Sequence, residues 1–501
     1  MNNSEIIANL LLSEGEGKIG NIHENAEQII INYMEKMRLL ELNYFNIENE
    51  NKSILMYIKK YILAEITDQM SKYDVNQIQS LCLDFAAELS RISCSLYNHK
   101  YKDIKLKELF DLAAFLGIDI KENRYQERMG LLKEAVNFIF YNTRNANKCN
   151  NSITIKQFMN LINLEASVII LDQIYFSLNN DPQMSIVIDK CWKGEKIRSQ
   201  KLQSESKKLE TIKNQENENL YGEKEQVIID KFEEVMGFSD KTLEVFIDKY
   251  FNGQDELKIN NKYKLASILH LSQKQMQNFE NIMFFDFDKI RKQKFIKNEN
   301  CSLFTTPFVH KNSDTNLYVM KYNLVEAAMY LRKRIIYRKI PMKRKLSILI
   351  KELRNERELP KIKERILEKG KRPVGINKDF GKDMRTKYLI DNEKKIPHEI
   401  DLFYKKDDTL IIYDLKDYEI PFSLAALSKV KKKLNGEAGK LLRLKKLILE
   451  NIDCFIEAIG FEFNKVNVGI LLTRDINNVS NACGVDVLAI QEFNDHIGEY
   501  I

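Results

Sequence analysis

The sequence predicts a multidomain protein of the α plus α/β class, with mostly helical N-terminal and middle regions followed by a C-terminal α/β core around a mixed sheet. Three observations predict this. Apolar residues recur at spacings of three and four through most of the first 290 positions. Only 7 Pro and 18 Gly occur in 501 residues, too few for the many tight turns of a sandwich or barrel. From about residue 340 the pattern becomes helix, two strands, helix, strand, helix, the alternation of an α/β domain.

The length exceeds what one ordinary core holds, so roughly two to four domains are expected. Residues 1–192 read as a helical domain. In LKELFDLAAFLG (106–117), Leu106, Leu109, Phe110, Ala113 and Leu116 mark one helix face, and Gly117 stops it. The stretches 131–142 and 155–178 follow the same spacing, and the second turns apolar on all sides, as for a helix buried in a bundle. Residues 193–225 are polar and mixed in charge, which predicts a linker or a solvated helix at a domain boundary. Residues 226–342 return to helical spacing, with a β-hairpin near 301–322: the β-prone runs SLFTTPFV and LYVMKY flank the turn-rich KNSDTN, and a helix from about 324 to 338 follows. Residues 343–501 form the α/β domain.

Composition excludes several classes. The seven cysteines are scattered, without a C-x-x-C pair or a paired His spacing, which argues against a zinc site or a disulfide framework. The N-terminus lacks the basic start and apolar run of a signal peptide. No membrane span is expected, because no stretch of about 18 uncharged apolar residues was found. The expected location is the cytoplasm. The net charge is only +6, but residues 329–446 hold 34 Lys and Arg against 17 Asp and Glu, so the remainder of the chain is acidic.

The chemistry lies inside that basic stretch. In IPHEIDLFYKKDDTLIIYDLKDYEIP (396–421), HEIDLFY and TLIIYDLKDY are β-prone and KKDD is a turn cluster. A two-residue loop at 407–408 and a four-residue loop at 406–409 give one register, in which Asp401 opposes Asp414 and Glu399 opposes Lys416. Opposed residues of an antiparallel pair share a face, as do residues two apart on a strand. Glu399, Asp401, Asp414 and Lys416 are therefore expected as a compact square. Ile400, Leu402, Ile411, Tyr413 and Leu415 are expected on the other face. Two facing carboxylates repel unless a positive charge lies between them, and Mg²⁺ is often held by one or two carboxylates with water and phosphate oxygens.

An acid, an apolar strand and then acid-x-Lys resemble the signature of the PD-(D/E)xK nucleases, a superfamily that includes restriction endonucleases. E-I-D-L-F-Y and L-I-I-Y-D-L-K-D look like its second and third core strands, and the likeness spans roughly residues 343–501. The resemblance implies a restriction-endonuclease-like core and a metal-dependent endonuclease. Asp401 and Asp414 would bind Mg²⁺, or Mn²⁺ in its place, together with the Leu415 carbonyl. Lys416, with Glu399 beside it, would serve the attacking water and the developing phosphate charge. The middle acid is Asp where Glu is commoner. The acid of the first core helix is not obvious: PKIKERILEKG (360–370) offers Glu364 and Glu368, of which Glu364 is the preferred candidate.

The expected substrate is nucleic acid, DNA before RNA, in a bacterial restriction or phage-defence setting. Lys431, Lys432, Lys433, Lys440 and Arg443 on the basic helix after the signature are the expected backbone contacts. The N-terminal helical region is expected to hold a protein partner or a second copy of the chain. The same residues also admit two rivals: a nuclease fold that binds nucleic acid without cutting it, and a helical interaction scaffold.

Overall fold

A computed structural model of the chain describes residues 21–40, 44–97, 125–145, 149–180, 185–191, 197–198, 223–287, 302–311, 315–336, 359–368, 373–379, 390–391, 394–395, 399–416, 424–473 and 481–495, with single positions at 340, 342, 344, 346, 348 and 418. The expected helix over 106–116 and most of the polar segment 193–225 lie outside them. The described residues divide into two compact units, one within 1–346 and one within 347–501.

The first unit is mainly helical: α1 (Ile22–Lys36), β1 (Tyr44–Ile47), α2 (Ser53–Met70), α3 (Val75–Tyr97), α4 (Tyr125–Asn142), α5 (Ile155–Asn180), β2 (Ile186–Asp189), β3 (Ile197–Arg198), α6 (Glu223–Met236), α7 (Asp240–Tyr250), β4 (Glu256–Ile259), α8 (Lys262–Ile268), α9 (Gln273–Met283), β5 (Val309–His310), β6 (Leu317–Met320) and α10 (Lys321–Ile336). Helix α5 is enclosed by α1, α2 and α4, which is why its sequence is apolar all round. By length and composition α5 could cross a membrane, but 78% of its apolar window is buried inside the unit.

Three details depart from the sequence reading. Residues 1–192 and 226–342 are not separate bodies, because α10 packs on α3, α6 and α7. Its Glu326 accepts from Ser90 Oγ at 2.7 Å and pairs with Lys133 of α4. A small sheet, β1-β2-β3, interrupts the helices, with strands too short to show a period of their own. In the expected hairpin, residues 302–306 form turns rather than a strand. Of the first β-prone run only β5 is a strand, and β6 lies between it and β4 in a three-stranded antiparallel sheet.

The second unit is built on a six-stranded mixed sheet. Its elements are α11 (residues 359–368), β7 (Val374–Asp379), β8 (Ile390–Asp391), β9 (Lys394–Lys395), β10 (Glu399–Lys406), β11 (Thr409–Lys416), α12 (Leu424–Glu450), α13 (Ile452–Ile459), β12 (Lys465–Leu472), β13 (Asn481–Ala482), β14 (Val485–Ala489) and α14 (Ile490–Asp495). The strand order is β13-β14-β12-β11-β10-β7. Strands β7, β10 and β11 form an antiparallel meander. Strands β11, β12 and β14 run parallel, so α12 supplies the crossover that a parallel pair requires.

Alternation along β11 fixes what each face carries. Leu410 and Ile412 join Phe403, Ile470 and Leu472 beneath the apolar stripe of α12, formed by Val430, Leu434, Ala438, Leu441, Leu444 and Ile448. Ile411, Tyr413 and Leu415 lie on the other face with Leu402 and Tyr404, covered by Leu359, Ile362 and Ile366 of α11 and by Phe493. Strand β11 is thus buried on both sides, which accounts for its unbroken apolar run.

Candidate active site

The β10–β11 register matches the expectation: Lys406 opposes Thr409 across a two-residue loop, and pairing continues to Leu402 opposite Tyr413. Asp407, first in the loop, takes the left-handed conformation with φ 52°. Beyond Leu402 and Tyr413 no further ladder partners join β10 to β11. The N–H of Leu415 donates instead to Asp401 Oδ2 at 2.7 Å. A carboxylate folded between two strand ends thus replaces a backbone partner. The departure from the ladder also moves Ile400, which packs with the α12-side core rather than with Leu402 as alternation alone predicted.

This local opening creates the site. Asp414 and Lys416 lie one strand period apart on the α12 side of β11, and Lys416 Nζ sits 2.7 Å from Asp414 Oδ2. Asp414 adjoins the carboxyl of Asp401 closely enough to act on its ionisation. Burial pushes Asp401 up to about 7, and the hydrogen bond and charge of Asp414 push the same way, against the Leu415 N–H and Lys416. Near neutrality Asp401 therefore keeps its proton part of the time, because a largely buried carboxylate beside a second acid resists ionising.

Lys416 has a second carboxylate neighbour that the strand pattern did not suggest. Glu437 of α12 places Oε2 3.6 Å from Lys416 Nζ and accepts from Lys440 Nζ at 2.8 Å through Oε1. Burial opposes the Lys416 charge, but Asp414, Glu437 and Asp401 outweigh it and raise the ammonium above its ordinary range. Burial likewise pushes against ionisation of Glu437, and its two lysines hold it below the usual carboxylate range. Burial and the charge of Glu437 push Tyr418 up to about 12, and Lys433 Nζ lies 5.7 Å from the centre of its ring.

The signal for Glu437 was present in the sequence. It occupies the position between Leu434 and Leu441 on the sheet-facing stripe of a strongly basic helix, where an apolar residue is the default. Which partner it meets depends on how α12 crosses the sheet, and that is not written in the spacing.

The other expected residues fall in different places. Glu364 is exposed, on a helix that packs against the sheet face opposite α12, and is not brought to the pair. Glu399 continues β10 and pairs with Asp379 of β7, while its side chain lies outside the described residues. Lys432, Lys433, Lys440 and Arg443 are exposed on α12 and Lys431 is half-buried.

Among the described residues no group of three or more His, Cys, Asp or Glu side chains gathers as a metal cage. The donor set is two neighbouring carboxylates, with the Leu415 backbone adjoining one of them. That is too little for a structural zinc site. It suits a hard divalent cation that keeps much of its water, since such an ion would offset the repulsion between two neighbouring carboxylates. No family model matches the chain, and neither does a curated protein or a solved structure.

Proposed function

We propose that the second unit is a Mg²⁺-dependent phosphodiesterase of the PD-(D/E)xK type that cleaves nucleic acid, with DNA the expected polymer. The observation that carries this reading is the grouping at the parting of β10 and β11, where the Leu415 N–H donates to Asp401 Oδ2 at 2.7 Å and Lys416 Nζ lies 2.7 Å from Asp414 Oδ2. The element order supports it: β10 and β11 stand as the second and third core strands, followed by helix α12 and parallel strand β12.

Asp401, Asp414 and the Leu415 carbonyl would hold the cation, which supplies a Lewis acid and lowers the pKa of bound water. Lys416 stays charged, so its part is to orient the attacking water and stabilise the charge that develops on the phosphate, not to act as a free base. The Leu415 N–H fixes the Asp401 carboxylate. Lys431, Lys432, Lys433, Lys440 and Arg443 are the backbone contacts of this reading, attached through α12 to the same core.

The test is cleavage of mixed DNA and RNA substrates in Mg²⁺ or Mn²⁺ by the wild-type chain, Asp414→Ala and Lys416→Ala. Each variant is expected to lose at least about 100-fold in rate, the usual consequence of removing a group that stabilises transition-state charge. Equal cleavage by all three would place the activity elsewhere. Binding without cleavage in every metal would favour a nucleic-acid-binding module that keeps the fold alone.

A further inference from the structure

Lys416 is held between carboxylates from two different elements: Asp414 Oδ2 at 2.7 Å on its own strand and Glu437 Oε2 at 3.6 Å on α12. The second carboxylate is well anchored. Its helix is pinned through Leu434, Ala438 and Leu441, and Lys440 fixes its other oxygen. Side-chain exposure is 26% at Lys416 and 22% at Glu437, so the pair is less screened than an ordinary surface ion pair.

In the proposed reaction the two neighbours of Lys416 differ in one respect: Asp414 is expected to ligate the cation and Glu437 is not. An ammonium and a divalent cation repel strongly at the separation one carboxylate would impose. A cation on Asp414 thus weakens its hold on Lys416, which is still needed beside the reacting phosphate.

We infer that Glu437 is a positioning residue that takes over the Lys416 ammonium when Asp414 turns to the divalent cation, so that filling the metal site and aiming the lysine are one coupled event. The inference rests on the functional reading above. The move required is small, less than about 1 Å from the present 3.6 Å to an ordinary charge-assisted hydrogen bond. The plain alternative is that Glu437 only forms a helix-surface pair with Lys440, which is worth little and would leave metal binding untouched.

The experiment is calorimetric titration of the full-length chain with Mn²⁺ alone, without nucleic acid. It compares wild type, Glu437→Ala and Glu437→Gln, then repeats both substitutions in a Lys416→Met background. With Lys416 present, each Glu437 change is expected to weaken Mn²⁺ binding about tenfold, as for other groups that support a metal ligand without touching the metal. With Lys416→Met the same changes are expected to alter affinity less than about twofold, because no ammonium remains to compete for Asp414. Glu437→Gln keeps volume and helix, and carries the test if Glu437→Ala fails to fold.

Unchanged affinity in the first background overturns the inference, and so does an equal loss in both, which would mean that Glu437 acts on the metal directly. If neither wild type nor the Lys416→Met chain takes up Mn²⁺, the metal reading of the site falls and this inference with it. That outcome is recognisable because it occurs before Glu437 is altered.

Discussion

The carboxylate–lysine group Glu165, Asp172 and Lys59 shows how single residues set the properties of the first unit. Lys59 Nζ lies 2.6 and 2.5 Å from the two oxygens of Asp172. Glu165, two turns earlier on α5, is buried with Asn142 Nδ2 at 3.4 Å as a donor. Burial pushes Glu165 up to about 8, opposed by Lys59 and reinforced by Asp172. The folded chain therefore keeps a proton that the unfolded chain releases near 4.5. The unfolded state binds fewer protons through this window, so stability falls as pH rises from about 4.5 to about 8. Glu165→Gln cannot ionise and preserves volume. It is expected to leave stability nearly unchanged at pH 5 and to raise it by on the order of 2–4 kcal/mol at pH 8, measured by denaturant unfolding. A gain independent of pH would show that packing, not ionisation, governs the position. The same scale explains what could be read early at the candidate site. Asp401, Asp414 and Lys416 fall within sixteen residues on one hairpin, so loop length and alternation define their neighbourhood. Glu437 is 21 residues beyond Lys416 and meets it only through the placement of α12 on the sheet.

At the scale of elements, long and strongly periodic segments were legible, and short ones depended on what surrounds them. Helix α5 followed its spacing because most of its circumference is buried. The β-prone run from Ser302 to Thr306 did not become a strand. The Thr305 and Thr306 N–H groups donate to the Ser302 carbonyl at 3.1 and 2.7 Å, Arg334 Nη1 donates to the Thr305 carbonyl at 2.8 Å, and Asn137 Oδ1 accepts from the Leu303 N–H at 3.0 Å. Local backbone turns and two distant side chains satisfy groups that a ladder would otherwise use. The β11–β12 pair shows the converse, a sequence detail explained only by the fold. Gly469 lies opposite Tyr413, and a Cβ at 469 would run into the Tyr413 ring. That ring packs edge-on to Phe493 at 5.4 Å. Gly469→Ala is expected to destabilise the chain by about 1–3 kcal/mol, the usual range for overpacking a filled core. Tyr413→Leu should recover part of that loss in the double variant, since the clash is with the ring. Simple additivity of the two changes in thermal unfolding would contradict the assignment of the glycine to this contact.

For the whole molecule, charge distribution says more than net charge. Residues 329–446 hold 34 basic against 17 acidic residues in a chain of net +6, so attraction for a polyanion is expected to concentrate on that stretch, which contains most of α12. Within it, the half of α12 turned from the sheet exposes Lys432, Lys433, Lys440 and Arg443, while the opposite stripe is fixed in the core. A phosphate-tracking surface makes a quantitative demand: binding must weaken with salt in proportion to the number of phosphates neutralised. The measurement is duplex-DNA affinity of the Asp414→Ala chain, which avoids cleavage, between about 50 and 200 mM salt. Lys432→Ala and Arg443→Ala are each expected to reduce the slope of log K against log salt by about 1 and to weaken binding across sequences alike. Glu364→Ala, exposed on α11 over the other sheet face, should leave the slope unchanged. A salt-independent affinity, or equal slopes for all three variants and the parent, would remove α12 as the backbone-binding surface. Cleavage that persisted in such a chain would then require another route for the strand to reach Asp401 and Asp414.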